Sequence, residues 1–228
     1  MKPSWIAGID GFRSDWFVVL VNHAQGRVIE TRHHLCASFK EVLNLTPAPK
    51  VIAIDIPIGL LDSPQIGGRE CDREARRLLK HPRASSVFSP PIRKYLPAQT
   101  LSEAPGISIQ TLCILSKIRE VDEQMTPELQ NRVVEVHPEV SFYHLAGQAM
   151  RHNKKKPDGR EERLNALSGT FLDIWKEVFS SKLKVPYDDM IDAYAAAWTA
   201  MRIENGIAKR FPENPPVDAK KLRMEIWS

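Results

Sequence analysis

The sequence predicts an α/β fold built on one mixed five-stranded sheet, and three observations carry that prediction. Short apolar runs within residues 5–31 are separated by tight turns, a nearly continuous β-branched run follows at 51–56, and helical spacings fill much of the remainder. Taken in order, residues 5–9 read as a buried strand. Gly11 and Ser14-Asp15 make a turn, 16–22 form a second strand, and Gly26 precedes an alternating third strand at 27–31. Three such strands make an antiparallel meander. Residues 38–45 place Phe39, Val42 and Leu43 at helical spacing, with Ser38 able to cap them.

The run 51–56 is apolar on both faces, as in the parallel centre of an α/β sheet. Gly67-Gly68 precede a helix over about 69–80, and the proline-rich residues 82–98 form an irregular loop. Residues 107–123 read as a helix and 133–137 as a further strand ended by Pro138. Short helical segments lead to an alanine-rich helix over 189–205, stopped at Gly206. Pro212, Pro215 and Pro216 connect it loosely to an apolar piece at 222–227. No internal repeat or domain boundary interrupts the chain, so residues 1–228 read as a single domain.

The order β-β-β-α-β-α-β-α, with inserted helices and loops, is the connectivity of the ribonuclease H-like fold. Its spatial strand order is expected to be 3-2-1-4-5, with helices flanking the sheet. The first and fourth strands are then neighbours, and Asp10 and Asp55, each following an apolar run, stand side by side at their carboxyl ends. Ligands of open α/β sheets favour that edge.

Composition sets the limits. The 228 residues are 43% hydrophobic and 26% charged, which excludes global disorder, and the net charge of +4 is compatible with a polyanionic partner. Cys36, Cys71 and Cys113 form no CxxC pair and suit free thiols in a reducing compartment. The first apolar run is short and ends in Asp10, unlike a signal peptide, and the run 16–21 is too short to cross a bilayer. A cytoplasmic protein with no membrane partner is expected.

The candidate chemistry lies in the acids. Asp after a strand often only starts a turn, which accounts for Asp10 as readily as function does. Asp55 continues a buried strand into Ile56-Pro57-Ile58-Gly59, where an unpaired carboxylate is costly and a cation removes the cost. Asp188, Asp189 and Asp192 open the late helix. One of them serves as its cap, with Asp188 favoured, while Asp189 and Asp192 share a face three residues apart. Ala193, Ala195, Ala196, Ala197 and Ala200 let that helix lie close to a sheet. Asp10, Asp55, Asp189 and Asp192 are therefore the expected catalytic and metal-binding residues, for Mg²⁺ or Mn²⁺, which prefer oxygen ligands. Glu135 and His137, alternating on one strand face, and Asp188 are second candidates for orienting a water or touching a phosphate.

Two basic patches complete the pattern. Arg69, Arg73, Arg76 and Arg77 recur at helical spacing, and Lys154, Lys155 and Lys156 form a run. Around an acidic centre they suit a nucleic acid held by its phosphates, although a solvated helix face laced with Glu70, Asp72 and Glu74 would look similar.

These pieces resemble domain-of-unknown-function family 429, described as predicted nucleases of ribonuclease H-like fold. The matching motifs are Gly8-Ile9-Asp10-Gly11, residues 54–60 around Asp55, Gly67-Gly68-Arg69 with Cys71-Asp72, and Ser85-Ser86-Val87-Phe88. Further along come Lys117-Ile118-Arg119-Glu120, Glu135-Val136-His137-Pro138-Glu139, Asp189-Met190-Ile191-Asp192-Ala193 and Met224-Glu225-Ile226-Trp227. The arrangement also looks like that of the Holliday-junction resolvases, by which Asp10, Asp55, Asp189 and Asp192 match four metal-binding acids. Asp55 stands where those proteins carry a glutamate. The resemblance implies a divalent-metal-dependent nuclease. The alternatives are a non-catalytic nucleic-acid-binding or regulatory protein of the same fold and, with no GxxxxGK[ST] in the chain, less readily an ATP-dependent phosphotransfer protein.

Overall fold

The computed structural model describes residues 2–228. Strands β1 (Ser4–Phe12), β2 (Asp15–Ala24) and β3 (Arg27–Cys36) form the antiparallel meander. Helix α1 (Phe39–Leu43) follows, and its Ser38 cap accepts the Glu41 N–H at 3.2 Å. Strand β4 (Ile52–Ile54) and, later, β5 (Val133–Glu135) add in parallel on the other side of β1. The sheet order is β3-β2-β1-β4-β5, the ribonuclease H-like order expected from the sequence.

Side chains alternate between two cores because successive strand residues face opposite ways. On β2, Trp16, Val18 and Leu20 pack toward α1 and α4 (Leu115–Gln124), whereas Phe17, Val19 and Val21 pack toward α8 (Tyr187–Glu204). Helices α5 (Pro138–Ala146), α6 (Pro157–Ser168) and α7 (Ile174–Phe179) close the α8 side.

Several boundaries differ from the sequence reading. Strand β1 does not stop at Ile9 but runs on to Phe12, because its hairpin with β2 continues through Phe12↔Asp15. The helix expected over 107–123 is two, α3 (Ile109–Cys113) and α4, interrupted at Ile114. Strand β5 ends at Glu135, two residues early, and Pro138 begins α5. The helix after the double glycine is α2 (Glu70–Leu79), and the proline-rich loop contains two 3₁₀ turns. The terminal apolar piece supplies β7 (Ile226–Trp227), paired with β6 (Arg210–Phe211).

Helix α8 lies against β1 without the usual side-chain layer. A Cβ on Gly8 would sit 2.1 Å from the Ala193 carbonyl oxygen and 2.1 Å from the Ala197 amide nitrogen. Glycine on the strand and alanines on the helix thus let main chain meet main chain, and Asp192, next to Ala193, is carried to the sheet edge. No described helix is long and apolar enough to cross a membrane. Among the described residues all three cysteines are free.

Candidate active site

The parallel ladder between β1 and β4 ends at Ile9↔Ile54, and the next residue on each strand is an aspartate. The Asp55 amide still donates to the Ile9 carbonyl at 3.2 Å, which holds the two acids together. Asp10 also accepts the amide of the next strand residue, Gly11, at 2.7 Å and joins the cluster. Burial, then Asp55, Asp192 and Asp189 in turn, raise the Asp10 carboxyl well above its ordinary range. Burial likewise raises Asp55 to about 6, while His137 works in the opposite direction. Four carboxylates that penalise one another's charge share a small region.

A lysine answers that repulsion. Lys154 Nζ donates to Asp192 Oδ2 at 2.5 Å, and Asp192 is 2% exposed. Attraction to Asp192, then to Asp10 and Asp55, raises the Lys154 ammonium despite its burial. The strap that carries it is pinned along its length. Arg83 donates to the carbonyls of Met150 at 2.7 Å and Arg151 at 2.9 Å, and Glu162 accepts the amides of Arg151 and His152. Arg163 donates to the His152 carbonyl at 3.1 Å. A Cβ on Gly159 would lie 2.0 Å from the Asn153 carbonyl oxygen, so only glycine lets α6 begin directly against the strap.

Close enough to act on Asp192, Arg163 is ion-paired with Glu139. The second Glu139 oxygen is buried without a partner, and its charge acts on both Asp55 and Asp192. Next to Asp55, His137 places a buried, unpartnered Nδ1. A cleft of about 20 Å³ is lined there by Asp55, Phe88, Glu135 and His137, which is the room one water needs.

The family model for DUF429, proteins of unknown function, matches residues 8–217. The chain belongs to the DUF429 family. No curated protein sequence matches it. Among solved structures, the Thermus thermophilus RuvC structure covers 90% of this chain and 98% of its own, at 14% identity and a TM-score of 0.36. That likeness is distant, and the fold of this DUF429 chain rests on its own strand order.

Of the residues expected to act, Asp10, Asp55, Asp189 and Asp192 come together in this DUF429 protein as one electrostatic cluster. Asp188 is not the helix cap: Pro186 holds that position, and Asp188 and Asp189 lie in the first turn. Glu135 lines the cleft beside Asp55 but is held from behind. It is buried in a network with Arg69, whose guanidinium reaches it at 2.6 and 2.7 Å and also grips Asp72 at 2.7 Å.

Arg69, expected on a phosphate-binding face, is 1% exposed and holds the Ile58 and Gly59 carbonyls as well. Arg73 and Arg76 are partly committed in the same way, to the Gly68 and Gly67 carbonyls, and Arg76 also to Val87. Arg77, Lys155 and Lys156 stay exposed, whereas Lys154 turns inward. Arg69 is thus internal scaffolding, and Arg73 and Arg76 brace half-exposed loop carbonyls, because guanidiniums satisfy carbonyls that glycine-rich and proline-rich loops leave unpaired.

Sequence reasoning overlooked Glu139 and Arg163 as parts of the site. Pro138 at the first helical position was the available signal for Glu139, since it fixes the next residue in a first turn beside the sheet edge.

Whether these residues fit a divalent metal has two answers. The donor set fits, being all carboxylate oxygen on a half-buried, charge-repelling cluster. The present arrangement does not hold three ligands around one point: among the described residues no group of three or more His, Cys, Asp or Glu is placed to do so. Lys154 stands at Asp192 instead. A divalent ion at Asp192 would compete with Lys154 for the same oxygen.

A pH dependence follows. Burial, reinforced by Asp188, raises Asp189 from 3.8 to about 7. A carboxyl raised on folding contributes stability that is full below the unfolded value and is lost as pH rises through the folded one. Asp189→Asn should therefore match the parent in melting temperature near pH 4, gain on it through the window up to about pH 7, and hold that gain above. Allowing for solvent screening of this partly exposed group, the plateau is about 1–2 kcal/mol. Melting curves of both proteins across pH in chelator check it, and a constant difference at all pH values would contradict it.

Proposed function

We propose that this protein is a nuclease that hydrolyses phosphodiester bonds of nucleic acid with the help of Mg²⁺ or Mn²⁺. The observation that supports this most is the clustering of Asp10, Asp55, Asp189 and Asp192 where the parallel ladder of a ribonuclease H-like sheet ends. Asp10, Asp55, Asp189 and Asp192 would hold the ion, which supplies Lewis-acid activation of water and stabilisation of charge on the leaving oxygen. The chain's own groups do the rest. His137 faces Asp55 across a one-water cleft and can take a proton at Nδ1. Lys154 neutralises the carboxylates and, once displaced from Asp192, offers a donor to a phosphate oxygen. Arg77, Lys155 and Lys156 supply exposed positive charge for the backbone.

The test is a panel of single-stranded, duplex, hybrid and branched substrates with Mg²⁺ or Mn²⁺ at low salt. Cleavage of at least one, suppressed by chelator, is expected. Absence of cleavage on every member would leave a non-catalytic binding protein, the reading that Lys154's hold on Asp192 favours.

Lys154 itself gives a separate expectation. Because ammonium and metal compete for Asp192, Lys154→Met should bind Mn²⁺ more tightly than the parent, on the order of tenfold, by calorimetry or paramagnetic titration. Equal or weaker binding would mean that Lys154 assists the metal rather than displacing it.

A further inference from the structure

A row of aromatic rings runs up to the acidic cluster from outside it. Trp175 and Phe179 lie four residues apart on one face of α7, their rings 5.8 Å apart and 28° from parallel. Phe179 meets Tyr187 at 5.0 Å, and Tyr187 opens α8 two residues before Asp189. The Arg160 guanidinium from α6 lies 4.6 Å above the Tyr187 ring. All three rings remain partly in solvent: Trp175 is 37% exposed, Phe179 43% and Tyr187 38%.

A helix that only needed to pack would have turned such rings inward, as α7 does with Ile174 and Val178, both buried. The exposed charge around the row is mostly positive, with Asp173 the exposed acid beside it. Between Trp175 and Tyr187 the exposed ionic side chains are Lys176, Lys182 and Lys184. Between them Glu177 is the one acid, half-buried and accepting the Tyr194 hydroxyl, and Asp188 follows Tyr187 in the first turn of α8.

Partly exposed rings at close spacing, flanked by lysines and capped by an arginine, match what an unpaired nucleic acid strand needs. Bases stack on aromatic faces whatever their identity, and phosphates take the cations. A duplex offers no free base face to such a row, because its bases already stack on each other.

We propose that Trp175, Phe179 and Tyr187 form a stacking platform for single-stranded nucleic acid, which feeds the strand to the carboxylates beyond Tyr187. This inference rests on the nuclease reading for the purpose of the platform, but binding is measurable without cleavage. Positive charge around the row argues for a polyanion over an apolar protein partner, and a second copy of the chain would bring the same lysines against themselves.

The experiment measures anisotropy of a dye-labelled single-stranded oligothymidylate and of a hairpin duplex, at low salt in chelator. The parent should prefer the single strand and show quenching of tryptophan fluorescence on binding. Trp175→Ala and Phe179→Ala should each weaken single-strand binding by about 5- to 100-fold and leave the duplex unchanged. Phe179→Tyr, which keeps the ring, should bind like the parent and guards against a folding artefact.

The proposal is overturned if neither oligonucleotide binds, if Phe179→Ala binds the single strand normally, or if both oligonucleotides lose affinity alike. It is also overturned if light scattering shows a parent dimer that Trp175→Ala dissociates, since a second copy would then be the occupant. Platform-dependent binding without cleavage would remove the nuclease reading alone, and cleavage indifferent to the platform would remove this inference alone.

Discussion

Asp55→Asn is expected to lower metal-dependent cleavage at least about a thousandfold, several kcal/mol of transition-state stabilisation, while leaving nucleic-acid affinity and folding intact. Asp55 sits at the first position past the parallel ladder, where its backbone is fixed by the Ile9 carbonyl and its carboxyl is not needed to hold the turn. Burial raises it to about 6, so at neutral pH its charge is a cost to the metal-free fold. Amide replacement removes that cost along with the ligand. Asp10→Asn should behave the same way in activity, with a smaller stability gain because the Gly11 amide loses a charged acceptor. Thermal melts, binding and single-turnover cleavage on the same samples separate these effects. A variant that loses its fold, or one that keeps full activity, would return Asp55 to a structural role.

Arg69→Ala carries the largest expected loss of stability, about 3–5 kcal/mol or more. Its guanidinium stands between Asp72 and Glu135, all three buried, and it also ties down the carbonyls of Ile58 and Gly59. Removing it leaves two carboxylates without a counter-charge and two carbonyls without a donor. Burial already pushes Glu135 up to about 7 with Arg69 in place. Replacing Arg69, Asp72 and Glu135 together by apolar residues of similar size should restore much of what the single change loses, since whole buried ionic networks are often replaceable where their single members are not. Urea unfolding of the single and triple variants decides it. A single-variant loss below about 1 kcal/mol would mean that the network does not hold the segment after Asp55.

The sheet was legible because its signals are local. Turn residues after each meander strand and the continuous β-branched run at β4 gave strand number and order. The acids were legible for the same reason, since each closes or opens an element with a clear pattern. What stayed hidden depends on contacts distant in sequence. Whether Arg69 points to solvent or to Glu135, 66 residues away, is decided by tertiary packing that helical spacing does not encode. Lys154 looked like one of three equivalent lysines, and only the strap held by Arg83, Glu162 and Arg163 distinguishes it. The break at Ile114 escaped notice because no glycine or proline marks it.

The contact of Gly8 with Ala193 and Ala197 has a consequence for ion choice. Where side chains separate a helix from a sheet, a rotamer change lets the gap breathe. Here the spacer is main chain, so the gap is a fixed gauge, and the acids of β1 and α8 hang from its two jaws at a set separation. The only adjustable length is that of the carboxylate side chains themselves. Substitutions that lengthen one of them, Asp10→Glu foremost, should therefore shift which ionic radius the site prefers rather than how strongly it binds cations in general.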